Sequence, residues 1–119
     1  MTDSHSQARR PALDETASDK VLVRAAQGGD SRAFRAILTR YNRRLYRIAR
    51  GILRNDAEAE DAVQEAYINA FTHLAGFRGD SGLSTWLSRI VINEALGRLR
   101  SRRPMADIAA VVTPEREAE

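Results

Sequence analysis

The sequence predicts an all-α protein, a compact bundle of about four helices with a functional loop before the last helix and flexible termini. Three observations lead there. Apolar residues between residues 19 and 102 recur at spacings of three and four, the signature of a helix face. Glycines and short polar residues interrupt that pattern at Gly28-Gly29, at Gly76 and across residues 77–82. A length of 119 residues, 43% hydrophobic and 29% charged, suits one small domain and leaves no room for two.

Residues 1–17 mix Ser, Asp, Gln, Arg and a proline without periodicity and read as a mobile arm. The helical domain is expected over residues 18–103. A short first helix starts at Asp19, buries Val21, Leu22 and Ala25, and stops at Gly28-Gly29. Asp30 or Ser31 then caps a long second helix carrying Phe34, Ile37, Leu38, Tyr41, Leu45, Ile48, Ala49 and Ile52, ending near Asn55. Asp56 is read as the cap of a third helix, with Ala59, Ala62, Val63, Ala66, Tyr67, Ala70, Phe71 and Leu74 as its buried stripe and Gly76 closing it. After the loop, Ser84 is expected to cap a fourth helix running to Arg102, just before Pro104. Residues 104–119 read as a tail or interdomain linker.

Composition removes whole classes of function. There is no cysteine, so disulfides, thiolate metal sites and cysteine nucleophiles are excluded, and two histidines cannot build a histidine cage. No nucleophile with its base, metal triad or phosphate loop is present, so neither an enzyme nor a cofactor or metal requirement is expected. No apolar run approaches the roughly 18 residues of a membrane span, and the N-terminus has no signal-peptide core, which predicts a cytoplasmic protein.

Charge is arranged in blocks. Of 19 basic residues only Lys20 is a lysine, a skew that suits bidentate contacts to phosphate or carboxylate, although codon usage alone produces the same skew. Nine arginines and a single acid, Asp30, lie between Arg24 and Arg54. The third helix opens instead with Asp56, Glu58, Glu60, Asp61 and Glu65, and the fourth turns basic again at Arg98, Arg100, Arg102 and Arg103, where cations also complement the helix dipole.

Two constellations stand out. On the third helix Asp61, Gln64, Glu65, Ile68 and Thr72 share one face, opposite or oblique to the apolar stripe, which suits a docked basic helix. On periodicity alone a solvated acidic face is the commoner explanation. In the second, Phe77 and Trp86 flank the glycine-rich loop, and Trp86, Arg89, Asn93 and Arg100 fall on one face of the fourth helix. Aromatic, cation and amide together form the grammar of single-stranded nucleic-acid binding. A lone tryptophan more often plugs a core.

The runs Leu22-Val23-Arg24 to Gly29-Asp30, Ala33-Phe34, Tyr41, Asp61-Ala62-Val63-Gln64-Glu65-Ala66-Tyr67, Phe77-Arg78-Gly79-Asp80-Ser81, Thr85-Trp86-Leu87 and Arg89-Ile90, with Asn93, resemble the extracytoplasmic-function group of bacterial RNA polymerase sigma factors. The similarity covers about residues 19–103 and is to that family's second conserved region.

The resemblance implies a helical domain that binds the clamp helices of the core polymerase β′ subunit and reads and helps melt the minus-ten promoter element. It implies that Asp61, Gln64 and Glu65 meet the clamp helices, with Ile68 packing nearby. Phe77, Arg78, Gly79, Asp80, Ser81 and Asn93 would form the pocket for a flipped non-template base, Trp86 and Arg89 would line or support the strand path, and arginines such as Arg100 would track phosphates. An anti-sigma factor is an implied partner. The chain departs from relatives in ending without the second helical domain that reads the minus-thirty-five element, as expected of either an excised domain or a natural short form. His73 also lies beside the expected base pocket. A sigma-like decoy that captures an anti-sigma factor without touching DNA is the competing expectation, but it has no need of the loop, Trp86, Asn93 or the arginine-rich end.

Overall fold

A computed structural model describes Leu13 and residues 16–102. The expected arm and tail therefore lie outside the described residues, apart from Leu13, Thr16 and Ala17. The helices are α1 (Asp19–Gln27), α2 (Ser31–Leu53), α3 (Asp56–His73) and α4 (Leu83–Arg102), with a 3-10 turn at Leu74–Gly76. There is no strand among the described residues. Helices α2, α3 and α4 pack on one another in all three pairs, while α1 lies against α2 and the 3-10 turn.

Local chemistry sets each boundary. Ser18 caps α1 by accepting from the Val21 amide at 3.2 Å, and Gly29 at φ 98° turns the chain within two residues of its end. Of the two candidate caps for α2, Asp30 is used, accepting from the Arg32 amide at 2.9 Å; the Arg32 guanidinium, at 3.3 Å, is the main cause that holds its carboxyl below the usual range, with the amide adding to it. At the far end Arg54 takes a left-handed conformation, φ 56°, and donates its amide to the Arg50 carbonyl at 2.8 Å. Two expected caps are corrected. Asn55, not Asp56, caps α3 by accepting from the Glu58 amide at 2.8 Å, because an Ncap residue must stand outside the helix with its side chain turned back. Asp56 instead receives Arg50 at 2.6 Å and Tyr46 at 3.1 Å. Ser84 does not cap α4, since the Trp86 amide already donates to the Gly82 carbonyl at 3.0 Å and puts Ser84 inside the first turn. Its hydroxyl accepts from Arg44 of α2 instead.

The core is built from Leu22, Val23 and Ala26 of α1, Ala33, Ile37, Leu45, Ala49 and Leu53 of α2, five small residues of α3, and Leu83, Leu87, Val91 and Ala95 of α4. On α3 the buried set is Ala59, Ala62, Val63, Ala66 and Ala70, so α2 and α4 approach a nearly smooth backbone cylinder. Ala17, assigned to the mobile arm, is buried, and its carbonyl accepts from the Arg40 guanidinium. Phe71 contradicts its expected core position: it is 63% exposed, its ring set edge-on to Phe34 at 5.3 Å. Counting 3.6 residues per turn, Phe71 stands about 20° from Gln64, two turns earlier, and about 120° from the middle of the alanine stripe.

Candidate functional site

The loop of residues 77–81 sits where α3 ends and α4 begins, and its geometry is held from both sides. Gly79 adopts φ 81°, a conformation that favours glycine and reverses the chain at the loop tip. Phe77 turns inward against Trp86, ring centroids 4.9 Å apart and tilted by 46°, within the range of a favourable aromatic pair. Both rings are half-buried, so Trp86 braces the loop and keeps part of its ring on the surface. From the other side the Gln27 amide donates to the Leu74 carbonyl at 3.0 Å and the Phe77 carbonyl at 2.9 Å.

Between loop and α1 lies a cavity of about 300 Å³, at the small end of ligand-pocket sizes. Phe77, Arg78, Gly79 and Ser81 form one wall, and Lys20, Arg24 and Gln27 of α1 form the other. Asp19 also reaches it, but its carboxylate is taken by Arg40 at 2.7 Å and by the Tyr41 hydroxyl. Burial, with Asp19 adding to it, pushes that phenol up to about 12, so it stays protonated and donating at neutral pH. The rim therefore carries three cations, Lys20, Arg24 and Arg78, over one neutralised acid.

Asn93 is not in this cavity. It stands two turns beyond Trp86, about 10 Å further along α4, in a shallow groove of about 480 Å³ with Glu58, Glu94, Gly97, Arg98 and Ser101. The structure therefore places the loop at the cavity and Asn93 on a strip along α4, on which Trp86, Arg89, Asn93 and Arg100 face away from Leu87, Val91 and Ala95. His73 is likewise absent from the cavity lining and turns back to the Asn69 carbonyl at 2.8 Å.

A second face runs down α3. Asp61, Gln64 and Ile68 are exposed and Glu65 is half-buried, and the side chains of Asp61, Gln64 and Glu65 have no hydrogen-bond or ion-pair partner among the described residues. Ile68 is 58% exposed and Phe71 extends the same surface, giving an acid-and-amide strip with an apolar end. Sequence reasoning missed Phe71 here, although its two-turn spacing from Gln64 carried the signal. It also missed Lys20, Arg24 and Gln27: all three line the cavity, and Gln27 bonds residues 47 and 50 positions away, a long-range relation that leaves no local pattern.

A family model described as sigma-70 region 2 matches residues 37–104. The chain belongs to the sigma-70 region 2 family.

Its relatives include the RNA polymerase sigma-H factor of Pseudomonas aeruginosa, 42% identical over 72% of this chain and 46% of that protein. The ECF RNA polymerase sigma factor SigM of Mycobacterium tuberculosis is 36% identical over 86% of this chain and 55% of its own length. The ECF RNA polymerase sigma-E factor of Escherichia coli is 36% identical over 83% and 53%. This region 2 chain spans about half the length of these relatives. An NMR structure of an engineered region 2 of sigmaE in complex with GTAAAA matches with a TM-score of 0.69 and 34% identity, covering 75% of this chain and 93% of that one. Sigma-70 region 2 belongs to transcription initiation factors, which are not enzymes. No described helix is long and apolar enough to cross a membrane.

Proposed function

We propose that this chain is the promoter-reading domain of an extracytoplasmic-function sigma factor. It docks on the β′ clamp helices of core RNA polymerase through Asp61, Gln64, Glu65 and Ile68. It captures unstacked bases of the minus-ten non-template strand with the loop 77–81 and the α4 strip of Trp86, Arg89, Asn93 and Arg100. The observation that carries this reading is a cation-rimmed cavity and an exposed aromatic edge at the same end of the molecule, a turn away from an arginine-bearing helix face.

The energetics favour that arrangement. Extruding a base from a duplex costs a few kcal/mol, and stacking it on an aromatic ring returns about 1–3 kcal/mol. Phe77 and Trp86 already lie against each other, so little further ordering is needed when a base arrives. Asn93 offers donors and an acceptor to a base edge further along the strand, while Arg89 and Arg100 make salt-sensitive phosphate contacts. Melting is helped because captured single strand is withdrawn from the duplex equilibrium. The role is exercised in the cytoplasm, and sequestration by an anti-sigma factor belongs to the same reading.

Two ligands and one substitution test it. A β′ clamp-helix fragment and a labelled minus-ten strand are each titrated with the wild-type chain and with Glu65→Arg. Loss of the fragment with retention of the strand supports the assignment. Equal retention or equal loss of both overturns it, as does capture of an anti-sigma factor by a chain that binds neither ligand, the behaviour of a decoy.

A further inference from the structure

Gln27 closes α1, and its side chain reaches into a part of the molecule far away in sequence. One Nε2 group donates to two carbonyls, Leu74 at 3.0 Å and Phe77 at 2.9 Å, so both amide protons are used. The orientation of the amide follows, because an oxygen placed there would face two carbonyl oxygens. Leu74 accepts a second time, from the Phe77 amide at 3.0 Å, which makes this turn the most heavily bonded point of the loop. Phe77 is then fixed on its carbonyl by Gln27 and on its ring by Trp86. Beyond Phe77 the residues Arg78, Gly79 and Asp80 are exposed and have no hydrogen bond from another element among the described residues.

We propose that Gln27 is a positioning residue for base selection: by holding the Leu74 and Phe77 carbonyls it sets the width of the cavity between α1 and the loop, with Lys20 and Arg24 on the same wall placed against the phosphates flanking the captured base. The assignment rests on the promoter-reading role above and adds α1 to the base-reading apparatus. Lys20 and Arg24 are four residues apart on one helix face, so they reach the same rim from successive turns. Arg78 approaches from the loop side, and a phosphate between the two walls meets cations from both. The consequence is that selectivity depends on a residue that need not touch the base.

The test uses the full chain as wild type, Gln27→Glu and Gln27→Met. Glutamate keeps the shape but replaces both donors by a carboxylate facing two carbonyls, and methionine keeps the length with no donor. Two readouts are combined. Exchange of the Phe77 amide, which donates to the Leu74 carbonyl, should accelerate in both variants, while the amides of α2 and α3 stay protected. Affinity for the preferred minus-ten strand should fall about tenfold, equivalent to about 1.4 kcal/mol, with binding of a scrambled strand, binding of the clamp-helix fragment and the melting temperature little changed. Unchanged exchange at Phe77 overturns the assignment whatever the DNA result, and so does equal weakening of preferred and scrambled strands. If the wild type selects a strand and the variants select it equally well, Gln27 has no positioning role although the functional reading stands. If the wild type selects no strand, the functional reading fails and this assignment falls with it.

Discussion

The α3 face and the loop–α4 face present their chemistry on different foundations. Asp61, Gln64, Glu65, Ile68 and Phe71 project from one straight helix whose opposite side is a stripe of buried small residues, so their spacing is set by helix geometry alone. The loop is held by a glycine at positive φ, two hydrogen bonds from Gln27 and one aromatic pair. A rigid face suits a partner of fixed shape, such as a pair of helices. A tethered loop suits a base that must be admitted, tested and released. The difference teaches that surface chemistry governs the first face, whereas the second is equally sensitive to residues that only hold its backbone.

The most disruptive change should erase the contrast. Leu45 of α2 is fully buried and belongs to neither face; Leu45→Ala should cost about 2–5 kcal/mol, seen as a lower chemical-denaturation midpoint, with both bindings lost together as the fold fails. Glu65→Arg should separate the faces, weakening clamp-helix binding by about 2 kcal/mol or more in calorimetric titration and leaving strand affinity intact. Trp86→Ala should separate them the other way, costing about 1–3 kcal/mol in strand binding by fluorescence titration, with clamp-helix affinity unchanged. A gentler probe is Arg100→Ala, expected to weaken preferred and scrambled strands alike and to reduce the slope of log affinity against log salt by about 0.7–1.

The smallest effect concerns a contact outside both faces. Arg50 and Tyr46 hold the Asp56 carboxyl below its usual range, so its contribution is present above the unfolded carboxylate pKa and disappears as pH falls through the lower folded value. The melting temperature of Asp56→Asn should therefore fall less steeply than that of the wild type on acidification below about pH 4, followed by circular dichroism.

Much of this architecture was legible because it is local. The Ile37–Leu45–Ala49 stripe and the break at Gly28-Gly29 follow from helical period and short-range capping, while Leu53 joins that stripe only in the structure. The displaced caps show the limit: Asn55 and Asp56 are adjacent polar residues, and which one folds back depends on Arg50 and Tyr46 claiming Asp56. Phe71 was misplaced because hydrophobicity alone assigned it to the core, whereas its angular position beside Gln64 puts it on the α3 face. The other members of the α3 strip, Asp61, Gln64, Glu65 and Ile68, are readable from spacing, as they lie within two turns. The loop cavity was half-legible, since Phe77 and Trp86 announce it but its second wall comes from α1. The resemblance groups Asn93 with the loop, a link that spacing alone does not carry, since helix rise sets Asn93 about 10 Å along α4 from Trp86.

The most direct test of two independent faces is fluorescence anisotropy of labelled non-template strands carrying randomised minus-ten sequences, titrated with the wild type and Asn93→Ala over a range of salt. Sequence-selective binding that Asn93→Ala weakens, at unchanged affinity for the clamp-helix fragment, is the predicted result. Binding without sequence preference, or a loss of strand and fragment in equal measure, would contradict it.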